Sequence, residues 1–279
     1  MKTCMTAEQL SAGYDGHSVF CNLDMEIPAG KMTTLIGSNG SGKSTILKTM
    51  SRLIVPTAGA VCLDGASIHS MPTKLVAQKL ALLPQGAQTP TGITVSDLVE
   101  YGRFPYRNKL SGLTAKDREV IRWALSSTNM TELAAREMDQ LSGGQRQRGW
   151  IAMALAQKTD ILFLDEPTTY LDISHQLDIL QLLRKLNLEQ GVTIVMVLHD
   201  LNHAIMFSDY LVAIKDGKKY SFGTPEEIVT SKTLREVFNV EAEIISHPIL
   251  NVPVCLPYGV RGQVFEQINT NTSNGGNER

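Results

Sequence analysis

No part of the sequence is apolar for long enough to cross a bilayer. The best run, Ile194 to Leu198, has the length of a strand, far short of the ~18 residues that a membrane helix requires. No hydrophobic leader is expected, because Met1 to Gly13 carries a lysine and several polar residues where a signal peptide would be unbroken and apolar. Cysteine is sparse. Cys4, Cys21, Cys62 and Cys255 form no Cys-x-x-Cys pair and have no histidine at metal-ligand spacing, so they are expected to be reduced, mostly packing residues, not a disulfide or zinc framework. The six histidines form no cluster suited to iron. Charge of one sign is also lacking: a net charge of -2 and a pI near 6.3 give no bulk attraction to DNA, RNA or anionic lipid, and no nucleic-acid partner is expected.

What remains is an ordinary globular composition, 43% hydrophobic and 19% charged over 279 residues. At roughly 100 to 200 residues per domain, that is room for one large or two modest cores. Ala7 to Ile36 alternates between turn signals at Asp15-Gly16 and Pro28 to Gly30, and reads as short antiparallel strands. Its last segment, Met32 to Ile36, runs into a glycine-rich loop and then into Thr45 to Leu53, which lacks Gly and Pro and suits a helix. A strand over Leu80 to Leu83 ends at Pro84-Gln85. From there to about Trp150 the pattern turns helical, with a capping-box start at Thr94-Val95-Ser96-Asp97 and an amphipathic helix over Ala115 to Ser127.

Parallel α/β texture returns with Ile161 to Leu164, then Ile179, Leu182, Leu183 and Leu186 at helical spacing, then Thr193 to Leu198. These strands are expected in one buried sheet. Tyr210 to Gly223, broken at Asp216-Gly217, reads as a hairpin, and Asn269 to Arg279 as a disordered tail.

Three motifs carry chemistry. Gly37-Ser38-Asn39-Gly40-Ser41-Gly42-Lys43-Ser44, with Thr45 opening the helix behind it, matches the phosphate-binding loop in which backbone N–H groups turn inward around an anion at a helix N-terminus. Lys43 would reach the β- and γ-phosphates of ATP and Ser44 would ligate Mg²⁺. Asp165-Glu166 ends an apolar strand, where ligands of open α/β sheets bind; Asp165 would hold Mg²⁺ through water and Glu166 would orient or deprotonate the attacking water. Leu141-Ser142-Gly143-Gly144-Gln145 stands before a helix expected from Arg146 to Gln157 and makes a second anion-binding end. One nucleotide has a single γ-phosphate, so the second end is assigned to ATP held by another copy of the chain.

Together these residues resemble the nucleotide-binding subunits of ABC transporters, over about Thr6 to Val240. The resemblance adds Tyr14 as the aromatic that stacks on adenine and Gln85 as the glutamine linking nucleotide and metal to the helical insertion. Asp172 becomes the aspartate that meets the opposite subunit, and His199 the histidine that reaches the γ-phosphate. It implies an α/β fold of P-loop NTPase type, a mostly parallel core sheet with an antiparallel β portion and a helical insertion. The nucleotide-binding lobe would comprise 1–85 and 151–245, the helical lobe 86–150, and a C-terminal extension 246–268, with the tail at 269–279.

Tyr101 to Tyr106, Trp150 to Gln157 and Thr168 to Gln176 look like the ATPases of importers for iron-siderophore complexes, haem and cobalamin, with siderophore nearest. The implied partners are a second copy, a transmembrane permease at the cytoplasmic face of the membrane and, indirectly, an extracytoplasmic siderophore-binding protein. Soluble ABC-type ATPases of DNA repair or translation usually carry long coiled coils or two cassettes in one chain, and neither heptads nor a second P-loop is present. A module that only binds ATP would not need both Glu166 and His199. Two departures stand out: Ser38 where many relatives carry Pro, and Gly149 where Ala is common, the latter costing about 1 kcal/mol in a helix unless close packing requires it.

Overall fold

The structure is a computed structural model, and it describes residues 2–88, 90–107, 112–261 and 263–264. The chain opens with two long strands, β1 (Thr3–Tyr14) and β2 (His17–Pro28), joined by the Asp15-Gly16 turn and paired antiparallel from end to end. This corrects the expectation of several short strands. Register shifts near Gln9, whose φ is 48°, interrupt the period-two alternation, so one long bulged ribbon reads in sequence as a series of pieces.

β3 (Met32–Ile36) leads to α1 (Lys43–Met50). β4 (Ala58–Leu63) and β5 (Ala66–Ser67) complete a four-stranded antiparallel sheet in the order β2-β1-β4-β5. Then come α2 (Thr73–Lys79), β6 (Leu80–Leu83), α3 (Val95–Tyr101), α4 (Ala115–Ser127) and α5 (Gly143–Ala156). Strands and helices alternate afterwards: β7 (Ile161–Asp165), α6 (Ile173–Gln190), β8 (Thr193–Val197), α7 (Leu201–Phe207), then the hairpin β9 (Tyr210–Lys215) and β10 (Lys218–Gly223). The C-terminal part forms a small antiparallel sheet of β11 (Val240–Ser246), β12 (Pro253–Val260) and β13 (Gln263–Val264). The tail expected at 269–279 lies outside the described residues.

Two helix starts differ from expectation. α1 begins at Lys43, not Thr45, because Gly42 adopts the left-handed conformation as its N-cap, and it stops early where Arg52 turns to positive φ. α5 begins at Gly143, not Arg146, because Ser142 and Gln145 form a reciprocal capping box that draws both glycines into the first turn.

The central sheet has six strands in the order β10-β9-β3-β8-β7-β6, all parallel except β10. Every residue of β3, β7 and β8 is buried, which is why they read as continuous apolar runs. Alternate side chains feed two cores. Leu162, Leu164, Ile194 and Met196 face the layer of α3, α4, α5 and α6, while Ile161, Phe163, Val195 and Val197 face α1 and the antiparallel sheet. The helical insertion shares the first of these cores, since Val95, Leu98, Ile121 and Ala124 pack in one cluster with Leu162 and Leu164. Gly149 faces that core closely: an added Cβ would lie 3.1 Å from the sulfur of buried Met138, which would have to shift by a few tenths of an ångström.

One buried ion pair ties the insertion together. Arg103 donates from Nε to Asp117 Oδ1 at 2.8 Å and from Nη1 to the Ala156 carbonyl at 2.7 Å, with both charged residues at most 5% exposed. Burial alone would raise the Asp117 carboxyl, but the Thr114 hydroxyl and amide and the Arg103 guanidinium hold it at about 2. Its folded pKa lies below the ordinary carboxylate value, so its stabilisation is complete above that value and is lost as pH falls toward about 2. Asp117→Asn leaves the guanidinium buried without its counter-charge and should cost about 3 kcal/mol. Urea unfolding from pH 7 down to pH 2 should show the cost at neutral pH and a shallower acid loss than in the unmodified chain.

Candidate active site

The C-terminal ends of four neighbouring strands define the site. β3 runs into the Gly37–Ser44 loop, β8 ends one residue before Leu198-His199, β7 ends at Asp165-Glu166, and β6 ends at Pro84-Gln85. A cleft of about 550 Å³ opens there, lined in part by Asn39, Gly40, Gly42, Lys43, Ser44, Thr45, Gln85, Glu166 and His199. Gly37 is required by contact: its φ is 150°, and a Cβ there would sit 2.2 Å from the Ile214 carbonyl oxygen of β9. Helices α3, α4, α5, α6 and α7 all begin with a side-chain cap, whereas α1, like α2, has none and no acidic residue in its first turn, and of these two only α1 opens onto the cleft. Its leading amides are thereby left for an anion.

Lys43 is only 5% exposed, and its ammonium donates to the carbonyls of Gly37 at 2.9 Å and Ser38 at 2.8 Å and, at 3.4 Å, to the Ser41 hydroxyl. Burial pulls its pKa below the ordinary lysine value, and the nearby Glu166 and Asp165 act against that shift. The Ser38 carbonyl also accepts from the Ser41 amide, so serine at this position leaves the loop's internal bonding in place.

Ser44 donates from its hydroxyl to Asp165 Oδ1 at 2.7 Å. The other carboxylate oxygen, Oδ2, is buried with no hydrogen-bond partner, and its nearest cation is Lys48 Nζ at 3.6 Å. A hydroxyl beside an unsatisfied buried carboxylate oxygen is the donor set a hard divalent cation selects, so these residues fit Mg²⁺.

Glu166 is held from three elements. Its Oε2 accepts from Gln85 Nε2 at 2.5 Å and from the Thr169 hydroxyl at 3.0 Å, and its Oε1 lies 2.6 Å from His199 Nε2. Its backbone is left-handed, φ 54°, a conformation that costs a non-glycine residue roughly 1–2 kcal/mol. That strain is offset by the bonds that fix the carboxylate.

The remaining residues separate into two groups. Tyr14 is half-exposed at the tip of β1 and pairs with His17, outside the cleft lining, whereas Val19 lines it; sequence gave no signal for Val19, whose place depends on the β2 register. Ser142, Gly143, Gly144, Gln145 and Asp172 are also absent from that lining. Gly143 instead lines an adjoining cleft of about 520 Å³ with Gln85, Glu166 and Tyr170. The Ser142 hydroxyl accepts the Gln145 amide at 3.3 Å, so the second anion-binding end is capped, not bare. Asp172 caps α6 by accepting the His175 amide at 2.9 Å.

The sequence profile described as ABC transporter matches residues 20–169, more than half of the chain. The chain belongs to the ABC transporter family. Among its relatives, the iron(3+)-hydroxamate import ATP-binding protein FhuC of Bacillus subtilis (strain 168) is 55% identical, with 91% of this chain and 94% of that protein covered. The ferric enterobactin transport ATP-binding protein FepC of Escherichia coli (strain K12) is 47% identical over the same shares of the two chains. A dimeric, post-hydrolysis ATP-binding cassette bound to ADP and Pi superposes with a TM-score of 0.70 at 30% identity, covering 79% of this chain and 98% of that one. This ABC protein is accordingly an ATPase that binds ATP, and its α/β architecture is that of the family.

Lys43→Ala removes the ammonium from the phosphate loop and should weaken Mg-ATP binding by at least tenfold, a loss of about 1.4 kcal/mol or more. Equilibrium dialysis with the purified chain measures it. Circular dichroism should show the fold retained.

Proposed function

We propose that this chain is the ATP-hydrolysing subunit of a membrane importer that takes up an iron-siderophore complex. The observation that carries the reading is the convergence of the phosphate loop, Asp165-Glu166, Gln85 and His199 on one sheet edge, in a chain similar to import ATP-binding proteins over most of their length. No described helix is long and apolar enough to cross a membrane, so attachment falls to other subunits. The chain would sit on the cytoplasmic face, held by a transmembrane permease, with a siderophore-binding protein delivering cargo on the far side.

In this account Lys43 and the amides of Gly37–Thr45 hold the β- and γ-phosphates, and Tyr14 offers its ring to adenine. Ser44 and Asp165, with Gln85 beside them, would hold Mg²⁺, which when bound neutralises charge on the phosphate oxygens. Glu166, fixed by Gln85, Thr169 and His199, takes the proton of the attacking water. His199 contributes its imidazole toward the γ-phosphate. A second copy completes each site by presenting Ser142, Gly143, Gly144, Gln145 and Asp172 to the ATP held by the first. Closure of the pair moves the helical insertions and the permease on them, so that binding energy and gating perform the transport work.

Glu166→Gln keeps the side chain's size and most of its contacts but removes the base. ATP should still bind, hydrolysis should fall by at least about a hundredfold, and a Mg-ATP-dependent dimer should accumulate in light scattering at low salt. An unchanged rate would remove Glu166 from the catalytic role. Ser142→Arg should abolish turnover in the permease complex while leaving single-chain ATP affinity intact. Loss of that affinity would contradict the assignment of Ser142 to the opposite copy's nucleotide.

A further inference from the structure

Within one chain, α5 and α6 meet through a histidine that has no part in the site described above. His175 lies one turn into α6, and its Nδ1–H donates to Asp172 Oδ1 at 2.7 Å. The same oxygen accepts the His175 amide and the Ser174 hydroxyl, each at 2.9 Å. These bonds hold the Asp172 carboxyl at about 2, so it stands as a charged acceptor. The far edge of the imidazole rests on Gly144, where an added Cβ would fall 2.4 Å from Cδ2 and 3.1 Å from Nε2. Glycine is needed at that position because any side chain would displace the ring. Arg148 and Asp178 bridge the same two helices at 2.7 Å.

The neighbouring Gln176 extends the link. Its Nε2 donates to the carbonyls of Thr168 at 3.3 Å and Leu171 at 3.0 Å, inside the loop that begins at Glu166. Since Thr169 also donates to Glu166, an unbroken series of contacts runs from the Glu166 carboxylate along the loop to Asp172, through His175, to Gly144 at the head of the signature helix.

We propose that His175 is a positioning residue that latches the Glu166–Asp172 loop to the signature helix of the same chain. Ser142–Gln145 and Asp172 then move as one surface, coupled to the loop that carries Glu166. The proposal rests on the two-copy reading of the function, in which that surface meets the second copy's nucleotide. A helix cap alone does not require the imidazole, because Asp172 would keep the residue-175 amide and the Ser174 hydroxyl without it. His175→Ala is therefore expected to fold and to keep the α6 cap.

Turnover of the permease complex and Mg-ATP affinity of the dilute single chain test this together. His175→Ala should lower kcat about tenfold while single-chain affinity stays within about twofold. His175→Asn keeps an N–H toward Asp172 but lacks the ring edge over Gly144, and His175→Phe keeps a ring over Gly144 without the donor; each retains one end of the link only, and both should remain nearly as slow as alanine. Unchanged kcat in His175→Ala, a parallel loss of single-chain affinity, or full turnover by the asparagine or the phenylalanine variant would each overturn the latch. The two-copy reading fails separately: normal turnover by Ser142→Arg would remove it and the latch with it, whereas an inactive Ser142→Arg beside a normal His175→Ala removes only the latch.

Discussion

Parallel pairing of β3, β8, β7 and β6 is the constraint on which the rest of the structure depends. In a parallel sheet all carboxyl ends lie on one edge, where ligands of open α/β folds bind. The register here sets Leu35 and Asp165 both opposite Val197, and Leu83 opposite Leu164. Four loops that are far apart in sequence thus leave the sheet side by side. Turning any one of these strands around would carry its group roughly 13 Å to the opposite edge. Burial on both faces enforces the arrangement, because each strand feeds two separate cores with alternate side chains and cannot slip by one residue without exchanging them.

The same burial makes the site energetically demanding. Lys43 and Asp165 carry opposite charges into positions that are 5% and 1% exposed, and Glu166 is held in a left-handed backbone. Isolated charges would not be tolerated there. The loop carbonyls around Lys43, the Ser44 hydroxyl on Asp165 and the three contacts on Glu166 offset that cost and fix the groups in advance of substrate. Charge fixed in position beforehand is the arrangement that stabilises phosphoryl transfer most effectively.

Much of this was legible in the sequence. The glycine-rich loop between β3 and α1, the limits of β3 and β6, the Ala115–Ser127 helix and the Asp216-Gly217 hairpin all follow from local patterns, since glycine spacing, capping boxes and unbroken apolar runs are short-range signals. The long β1–β2 ribbon was not, because bulges disguise its period. Nor was the clasp of Gln85, Thr169 and His199 on one carboxylate, which depends on strand order, or the rest of His175 on Gly144, which depends on how two helices cross. The choice left open for Gly149, a helix penalty or a close-packing need, also turned on tertiary structure: an added Cβ would lie 3.1 Å from Met138.

The central claim is that each nucleotide is held by Lys43 of one copy and Ser142 of the other. Two chains, both carrying Glu166→Gln to prevent turnover, test it most directly when one also carries Lys43→Ala and the other Ser142→Arg. Mixed at low salt with Mg-ATP, they form a pair in which one composite site bears both lesions and the other bears neither. Differently tagged chains should co-purify as mixed pairs holding a single ATP, while neither variant pairs with itself. Absence of mixed pairs, or self-pairing by either variant as strong as the mixed pairing, would contradict the account.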